Sequence, residues 1–465
     1  MPPTDSMYLF AESREHPMHV GGLQLFVPPE GSGPEYVRQI FDRLTASQDV
    51  DVAFRKRPAK PVDVLGTLWW TEDETVDFDY HVRHSAVPGP GRIRELLQLT
   101  SRWHSSLLDR YRPLWEMHLV EGLDDRRFAI YSKIHHSVMD GVSALRTLER
   151  SLSTDPDARD CPAPWTPRRP RPRVAPETEV EVGGDGAGLV GSLLGAARGG
   201  VSLAGQFAGV TPALARIANQ AVRERDLAVP FAAPRTILNK RVGGARRFAA
   251  QSWSIERVRA VATASGVTLN DVVLAMCGGA LREYLVEQMA LPDAPLTAMV
   301  PVSLKLREGE AEAGGNAVGA IVVSLATDQA DPAVRLATIH ESVVHAKQNL
   351  SGLSPLQILA LSALVIAPLG LTSVPGFVRS TPPPFNLIIS NVPGPQETRY
   401  FDGARLDGVY PASIVLDGQA LNITLTSRAG FLDFGIVGCR QSVPHLQHLL
   451  GHLEDSLSDL EAAVL

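Results

Sequence analysis

His135-His136-Ser137-Val138-Met139-Asp140-Gly141 places two imidazoles, a carboxylate and a glycine within seven positions. The run before it, Phe128-Ala129-Ile130-Tyr131-Ser132-Lys133-Ile134, alternates with the period of a half-buried strand. The histidines therefore stand where a strand gives way to a loop, the place where rigid scaffolds present reactive groups. Histidine moves protons near neutral pH. A blander reading stays open, because paired histidines and an Asp-Gly turn are also ordinary surface features. Neighbours on a strand point to opposite faces, so His135 and His136 are poorly placed to share one ion. The chain has no HExxH and no paired CxxC, and no metal site is expected.

At 465 residues the chain is long enough for two or three domains. A hydrophobic content of 44% supplies large cores and argues against global disorder. The net charge of −7 offers no general attraction to nucleic acid, and no nucleic-acid-binding motif is present. Cys161, Cys277 and Cys439 are odd in number and far apart, which speaks against a disulfide framework and for a reducing cytosol. Met1 to Ser6 carry neither a basic n-region nor an apolar h-region, so no secretory signal is expected. The apolar run 356–371 is interrupted by Gln357, Ser362 and Pro368. At about 16 residues it is shorter than the roughly 20 a bilayer requires. It reads as a buried helix or as a membrane-surface contact.

Three regions follow from composition. Residues 1–155 hold helices near 36–44 and 93–108, the histidine strand, and a helix from Val142 to Ser151. Residues 156–245 form a linker: Cys161 to Arg173 is rich in proline and arginine and should be extended and exposed. An acidic stretch (177–181) follows it, and one or two alanine- and glycine-rich helices are expected over 188–225. Residues 246–465 begin with a strand through Trp253 and continue with helices over 258–264 and 270–287, with Thr268 or Asn270 as cap. Strands are expected at 296–302, 320–325, 387–390, 421–427 and 432–437, with helices at 331–350 and 444–463. Strands mixed with helices in two comparable halves predict an α/β, two-domain protein.

The motif resembles the active-site signature of the chloramphenicol-acetyltransferase-like superfamily, which includes nonribosomal peptide condensation domains. Further stretches narrow the resemblance to the bacterial wax ester synthase/acyl-CoA:diacylglycerol acyltransferases. Pro113-Leu114-Trp115-Glu116 is similar to their PLW motif, and Asn270-Asp271-Val272-Val273-Leu274-Ala275 to their NDVVLA motif. Val300-Pro301-Val302-Ser303, Ser390-Asn391-Val392-Pro393-Gly394-Pro395 and Thr236-Ile237-Leu238-Asn239 match in kind and order. These landmarks span about residues 113 to 395.

The resemblance implies two acetyltransferase-like domains joined by a crossover, with the active site at their interface on a tunnel open at both ends. It implies acyl transfer from a long-chain acyl-CoA, as co-substrate and with no further cofactor, to diacylglycerol or a long-chain alcohol. By the family pattern His136 is the general base, and His135 faces the other way and holds the strand. The acyl group arrives activated as a thioester, so no nucleophilic serine or cysteine is required, and no GxSxG elbow is present. Asn270 is the candidate to assist the developing oxyanion, although an asparagine there also reads as a cap. Gly141 should permit a backbone geometry closed to larger residues and let substrate approach. The PLW stretch should pack, and 390–395 should form a turn-rich loop near the tunnel.

In the wider superfamily the motif's aspartate is held by an arginine, which makes Asp140 structural. Related sequences tend to carry that arginine two residues after the VPVS serine. This chain has Lys305 there and Arg307 beyond it, so both are candidate partners. The acceptor implied is a lipid, which predicts a cytoplasmic protein resting on a membrane or lipid-droplet surface, monomeric or weakly dimeric. Two other readings remain: a CoA-dependent acyltransferase with a non-lipid acceptor, and a non-catalytic paralogue that coats lipid droplets. The NDVVLA-like and SNVPGP stretches stand against the first, and the intact His136, Asp140 and Gly141 against the second.

Overall fold

The segment Phe128–His135 is a strand, as its alternation predicts, yet it is buried on both faces rather than one. Phe128, Ile130 and Ile134 enter one core while Ala129 and Tyr131 enter another. Lys133, which made the pattern look half-exposed, is 2% exposed. Its Nζ donates to the carbonyls of Trp103 (3.0 Å) and Ser106 (2.8 Å), so the ammonium is buried with partners.

The computed structural model describes residues 1, 3–59, 68–167, 232–303, 318–350 and 381–465, with Leu353, Gln357, Ile358, Leu361, Ser362 and Val365. In chain order, α1 (Pro3–Ala11) leads to β1 (His19–Val27), α2 (Tyr36–Ala46), β2 (Lys56–Pro58) and β3 (Trp70–Glu72). Next come α3 (Phe78–His81), β4 (Val82–Ala86), α4 (Ile93–Ser105), β5 (Trp115–Glu121), β6 (Phe128–His135) and α5 (Gly141–Glu149). The second half has β7 (Arg246–Ser254), α6 (Ile255–Ser265), α7 (Leu269–Glu287), β8 (Thr297–Ser303), β9 (Val318–Ser324) and α8 (Pro332–Leu350). It closes with β10 (Leu387–Val392), β11 (Tyr400–Phe401), β12 (Ala404–Ala412), β13 (Leu421–Arg428), β14 (Phe431–Cys439) and α9 (His448–Val464).

Two six-stranded mixed sheets result, ordered β11-β12-β1-β6-β5-β4 and β7-β14-β13-β10-β8-β9. The first sheet thus borrows β11 and β12 from the second half of the chain. β12 pairs antiparallel with β1 from Gly21↔Ala412 to Val27↔Arg405. The three-part division of the chain needs two amendments on this account. Residues 400–412 belong to the first sheet, and the start of the expected linker is core. Trp165 is fully buried, Cys161 and Ala163 pack beside it, and the Trp165 carbonyl accepts from Asp51 N–H at 2.7 Å. An apolar ring outweighs its proline- and arginine-rich surroundings. The stretches 168–173, 177–181 and 188–225 lie outside the described residues.

The two halves meet through backbone. Strand β7 is an edge of the second sheet, and α4 caps that edge: Arg246 N–H donates to Ser105 Oγ (2.8 Å) and Phe248 N–H to Ser101 Oγ (2.9 Å). Further along, β12 crosses β14 so closely that a Cβ at Gly435 would collide with the Pro411 carbonyl. In the apolar run 356–371, the described side chains Ile358, Leu361 and Val365 are buried, and Ser362 Oγ accepts from Ala320 N–H at 2.9 Å. This face is core, not a membrane contact. Among the described residues no single helix is long and apolar enough to cross a membrane. The pair α6 and α7 reaches the needed length and apolar composition only together, across a 104° bend.

Candidate active site

The last ladder residue of β6 is His135, and the chain turns out of the sheet immediately after it. His135 pairs across to His19, while His136 N–H donates to the Met18 carbonyl at 2.8 Å. The loop closes as α5 begins. Asp140 takes the cap position, its Oδ1 accepting from Ser143 N–H at 2.7 Å. Four of the expected residues are therefore brought together by strand end, turn and cap.

His135 and His136 have different surroundings. His135 is fully buried; its Nδ1 lies 2.6 Å from Ser137 Oγ and accepts from Ser137 N–H at 3.1 Å. His136 keeps part of its surface open, and its ring stacks on Tyr8 of α1, centroids 4.2 Å apart and 19° from parallel. Protein packed densely around that ring pushes its pKa down to about 4, the nearby Asp140 charge opposing this only in part. The imidazole is thus neutral at ordinary pH, with an acceptor nitrogen to offer. Burial, assisted by Asp140, holds the Tyr8 hydroxyl far above its ordinary range, so Tyr8 is a neutral stacking partner.

Asp140 is half-buried, and its cap bond is the contact that the described residues supply. Lys305 and Arg307 lie outside the described residues. The carboxylate is half-buried where deep burial is expected, it caps α5, and the expected ion pair falls on residues outside the described ones. Asp140→Ala should cost about 1 kcal/mol, the usual worth of a cap, whereas Asp140→Asn should keep stability. Removing the charge takes away what raises the His136 pKa, so the acid limb of the Asp140→Asn pH profile should move to lower pH. Denaturant melts and kcat/KM against pH check both, and an unchanged acid limb counts against this role.

Gly141 is outside the left-handed region, which corrects the backbone argument for it. A Cβ there would meet only Val20 Cγ1, at 4.0 Å, so what the glycine leaves is room. Asn270 is not the cap of α7. Thr268 is: its hydroxyl accepts from Asp271 N–H (3.3 Å), and Asp271 returns the bond to Thr268 N–H (2.9 Å). Asn270 is half-buried in the first turn, and among the described residues its amide has no hydrogen-bond partner. No hydrogen bond joins it to the histidine pair. Ser390, Asn391 and Val392 are strand rather than loop, the turn beginning at Pro393.

The PLW stretch packs, as its composition predicts. Trp115 is 3% exposed and its Nε1 donates to the Phe54 carbonyl at 2.9 Å. Its neighbour Glu116 is buried beside Lys133 (3.4 Å) and Arg83 (3.3 Å). Burial would raise that carboxyl, but His118 and the two cations hold it down to about 2. Trp115 also walls an apolar pocket with Gly22, Ile134, Met139, Leu148 and Trp165, with about 480 Å³ of empty space that includes open solvent. A second, smaller pocket shares Met117, Leu148 and Pro164 with it and reaches Phe401. The cavities run under α5 from the histidine loop toward the borrowed strands.

Sequence reading missed Tyr8, Glu12 and Arg110. Glu12 follows α1 with a side chain 1% exposed, faces His135 Nε2 at 3.3 Å and is bound by Arg110 Nε at 3.0 Å. Burial alone would raise this carboxyl; His135 and Arg110 outweigh it and hold it below its usual range. The available signal was the four-residue spacing of Tyr8 and Glu12, one helical turn, which nothing local connects to the distant histidines.

The profile described as wax ester synthase/diacylglycerol acyltransferase catalytic domain matches residues 1–273, and the WS/DGAT C-terminal domain matches 314–461. A probable diacylglycerol O-acyltransferase of Mycobacterium tuberculosis is 56% identical, over 100% of this chain and 99% of that protein. The O-acyltransferase WSD of Acinetobacter baylyi is 41% identical, covering 99% of this chain and 97% of its own. Among solved structures, the wax ester synthase/diacylglycerol acyltransferase of Marinobacter aquaeolei VT8 superimposes with a TM-score of 0.78 at 42% identity, covering 100% and 99% of the two chains. The first condensation domain of the CDA synthetase, at TM-score 0.56 and 16% identity, shares the fold. With both domain profiles matched and full-length relatives at this identity, the chain belongs to the wax ester synthase/diacylglycerol acyltransferase family.

Proposed function

We propose that this chain transfers the acyl group of a long-chain acyl-CoA to the hydroxyl of diacylglycerol or of a long-chain alcohol, with His136 as general base. The observation that carries this is a neutral, partly open imidazole at the end of a rigid strand whose chain neighbours Ile134 and Met139 line an apolar pocket. The acceptor's O–H proton passes to His136 as its oxygen attacks the thioester carbonyl. When the C–S bond breaks, the imidazolium returns the proton to the departing CoA sulfur. Asn270, with its unused amide, is the proposed donor to the oxyanion. Cys161, Cys277 and Cys439 are all buried, so none is placed to form an acyl-enzyme. The test is purified protein with radiolabelled palmitoyl-CoA, given diacylglycerol and hexadecanol separately. Triacylglycerol or wax ester is expected, and neither product forming with active-site-intact protein would refute the reading.

The acyl chain is assigned to the cavity under α5. At Gly22 a Cβ finds ordinary contact with Leu148 (3.5 Å) and Leu145 (3.8 Å), so a longer side chain would enter the cavity instead of the backbone. Gly22→Leu should shift preference to shorter acyl-CoA. Each excluded methylene should cost about 0.8 kcal/mol, or about fourfold in kcat/KM. An unchanged profile from decanoyl- to stearoyl-CoA would place the chain elsewhere.

A peripheral lipid contact is proposed around α1 in place of the run 356–371. Phe10, Trp69 and Tyr111 are 61%, 55% and 62% exposed. Phe10 and Trp69 follow in sequence Leu9 and Leu68 of a small cluster, with Leu108, against which Val138 of the histidine loop packs. Exposed aromatic rings suit a lipid interface, and a cytoplasmic protein seated there would meet its acceptor at the site. The double variant Phe10→Ser, Trp69→Ser should lose flotation with phosphatidylcholine vesicles containing diacylglycerol; retained flotation would rule the patch out.

A further inference from the structure

One carboxylate meets His135 directly and His136 through the backbone of Met18. Glu12 Oε1 accepts from Met18 N–H (3.3 Å) and lies 3.3 Å from His135 Nε2, while Oε2 accepts from Arg110 Nε (3.0 Å). The Met18 carbonyl in turn accepts from His136 N–H at 2.8 Å, so the backbone of one residue links the carboxylate to the His136 backbone. The proton positions follow from valence. Ser137 N–H can only donate, and it points at His135 Nδ1 from 3.1 Å, so Nδ1 is the bare nitrogen. A neutral His135 must then carry its proton on Nε2, facing Glu12. The approach lies off the line of a well-directed hydrogen bond, so its pull is chiefly electrostatic. Among the described residues the polar partners of the Glu12 carboxylate, Met18 N–H, Arg110 and His135 Nε2–H, are all donors, which suits two acceptor oxygens and no amide.

We propose that Glu12 is a positioning residue for the acyl-transfer site. It fixes His135 as the Nε2–H tautomer and, through the Met18 backbone, sets the backbone position of His136, whose ring plane Tyr8 defines one helical turn earlier. This role rests on the reading of His136 as base. In Glu12→Gln the amide has one acceptor oxygen, so its NH2 must face either Arg110 or the Met18 and His135 donors. The donor–donor contact displaces one of them, and misplacement of a reacting group by about 1 Å costs roughly 100-fold.

The experiment has two arms. In wild-type protein labelled with 15N-histidine, with His135→Gln used for assignment, NMR should show His135 protonated on Nε2 and bare on Nδ1; the opposite tautomer overturns the proposal. Glu12→Gln should melt lower, as a buried partner is lost, yet stay folded at the assay temperature, keep KM within about threefold and lose roughly 100-fold in kcat per folded molecule. A purely structural role would lower only stability or active fraction and leave kcat per folded molecule and its pH profile unmoved. Here the acid limb moves as the His136 surroundings open. A folded Glu12→Gln with turnover within twofold of wild type also overturns the proposal. If His136→Ala stays active, the base reading fails, while the wild-type tautomer still judges Glu12 on its own.

Discussion

His136→Ala should lower kcat by about two to four orders of magnitude, the range a positioned general base contributes, with little change in melting temperature. The imidazole is partly open, and among the described residues no other residue hydrogen-bonds its ring. The backbone bond from His136 N–H to the Met18 carbonyl survives the substitution, so removing the ring leaves no buried group newly unpaired. Single-turnover acyl transfer with the variant decides the point, and near-normal turnover would refute the mechanism. The wild-type pH profile gives an independent check. Because packing pushes the His136 pKa down to about 4, kcat/KM should hold its plateau through pH 6.5 and fall only near pH 4. The sign for stability is the same. A histidine kept neutral in the fold binds its proton more readily in the unfolded chain, so its contribution is present above about pH 6.5 and is lost as the pH drops toward 4. His19 and His104, buried and also held below the ordinary value, the latter at about 3, add to that slope.

The largest expected stability effect lies where the two sheets join. Asp433 is fully buried on β14. Its Oδ2 accepts from Val409 N–H of β12 and from Arg428 Nε, both at 2.8 Å, and its Oδ1 accepts from Ser252 Oγ of β7 at 2.6 Å. Burial pushes the carboxyl upward despite these donors, so the charge is retained only through all of them together. Asp433→Ala leaves Arg428 buried without its partner, and breaking such a pair costs about 3–5 kcal/mol. The double variant Arg428→Met, Asp433→Leu removes both charges and should recover part of that loss. Urea denaturation of the two variants tests this; a loss under about 0.5 kcal/mol in Asp433→Ala would show that the ion pair does not hold the crossover.

Local patterns in the sequence accounted for the elements whose causes are themselves local. The alternation of 128–134 is enough for a strand, the Asp140-Gly141 step begins α5, and Thr268 to Asp271 carries a capping box that starts α7. The HHxxxDG, PLW and NDVVLA stretches were legible because each spans a few residues, and through them so was the family.

What the tertiary structure decided involves residues far apart in the chain. Lys133 looks like a solvent-facing residue until α4 and the second half cover that face of β6. Trp165 looks like linker until it fills a core, and β12 looks like part of the second domain until it pairs with β1. The same distance hides the site's supports. Tyr8 in the N-terminal helix and Glu12 just after it are ordinary residues in sequence, and only the turn into β1, held by Arg110 and the Met18 backbone, lays them against His136 and His135. A side chain's local periodicity reports which way it points; what it meets there is set by chain closure over long sequence separations, to which no short pattern responds.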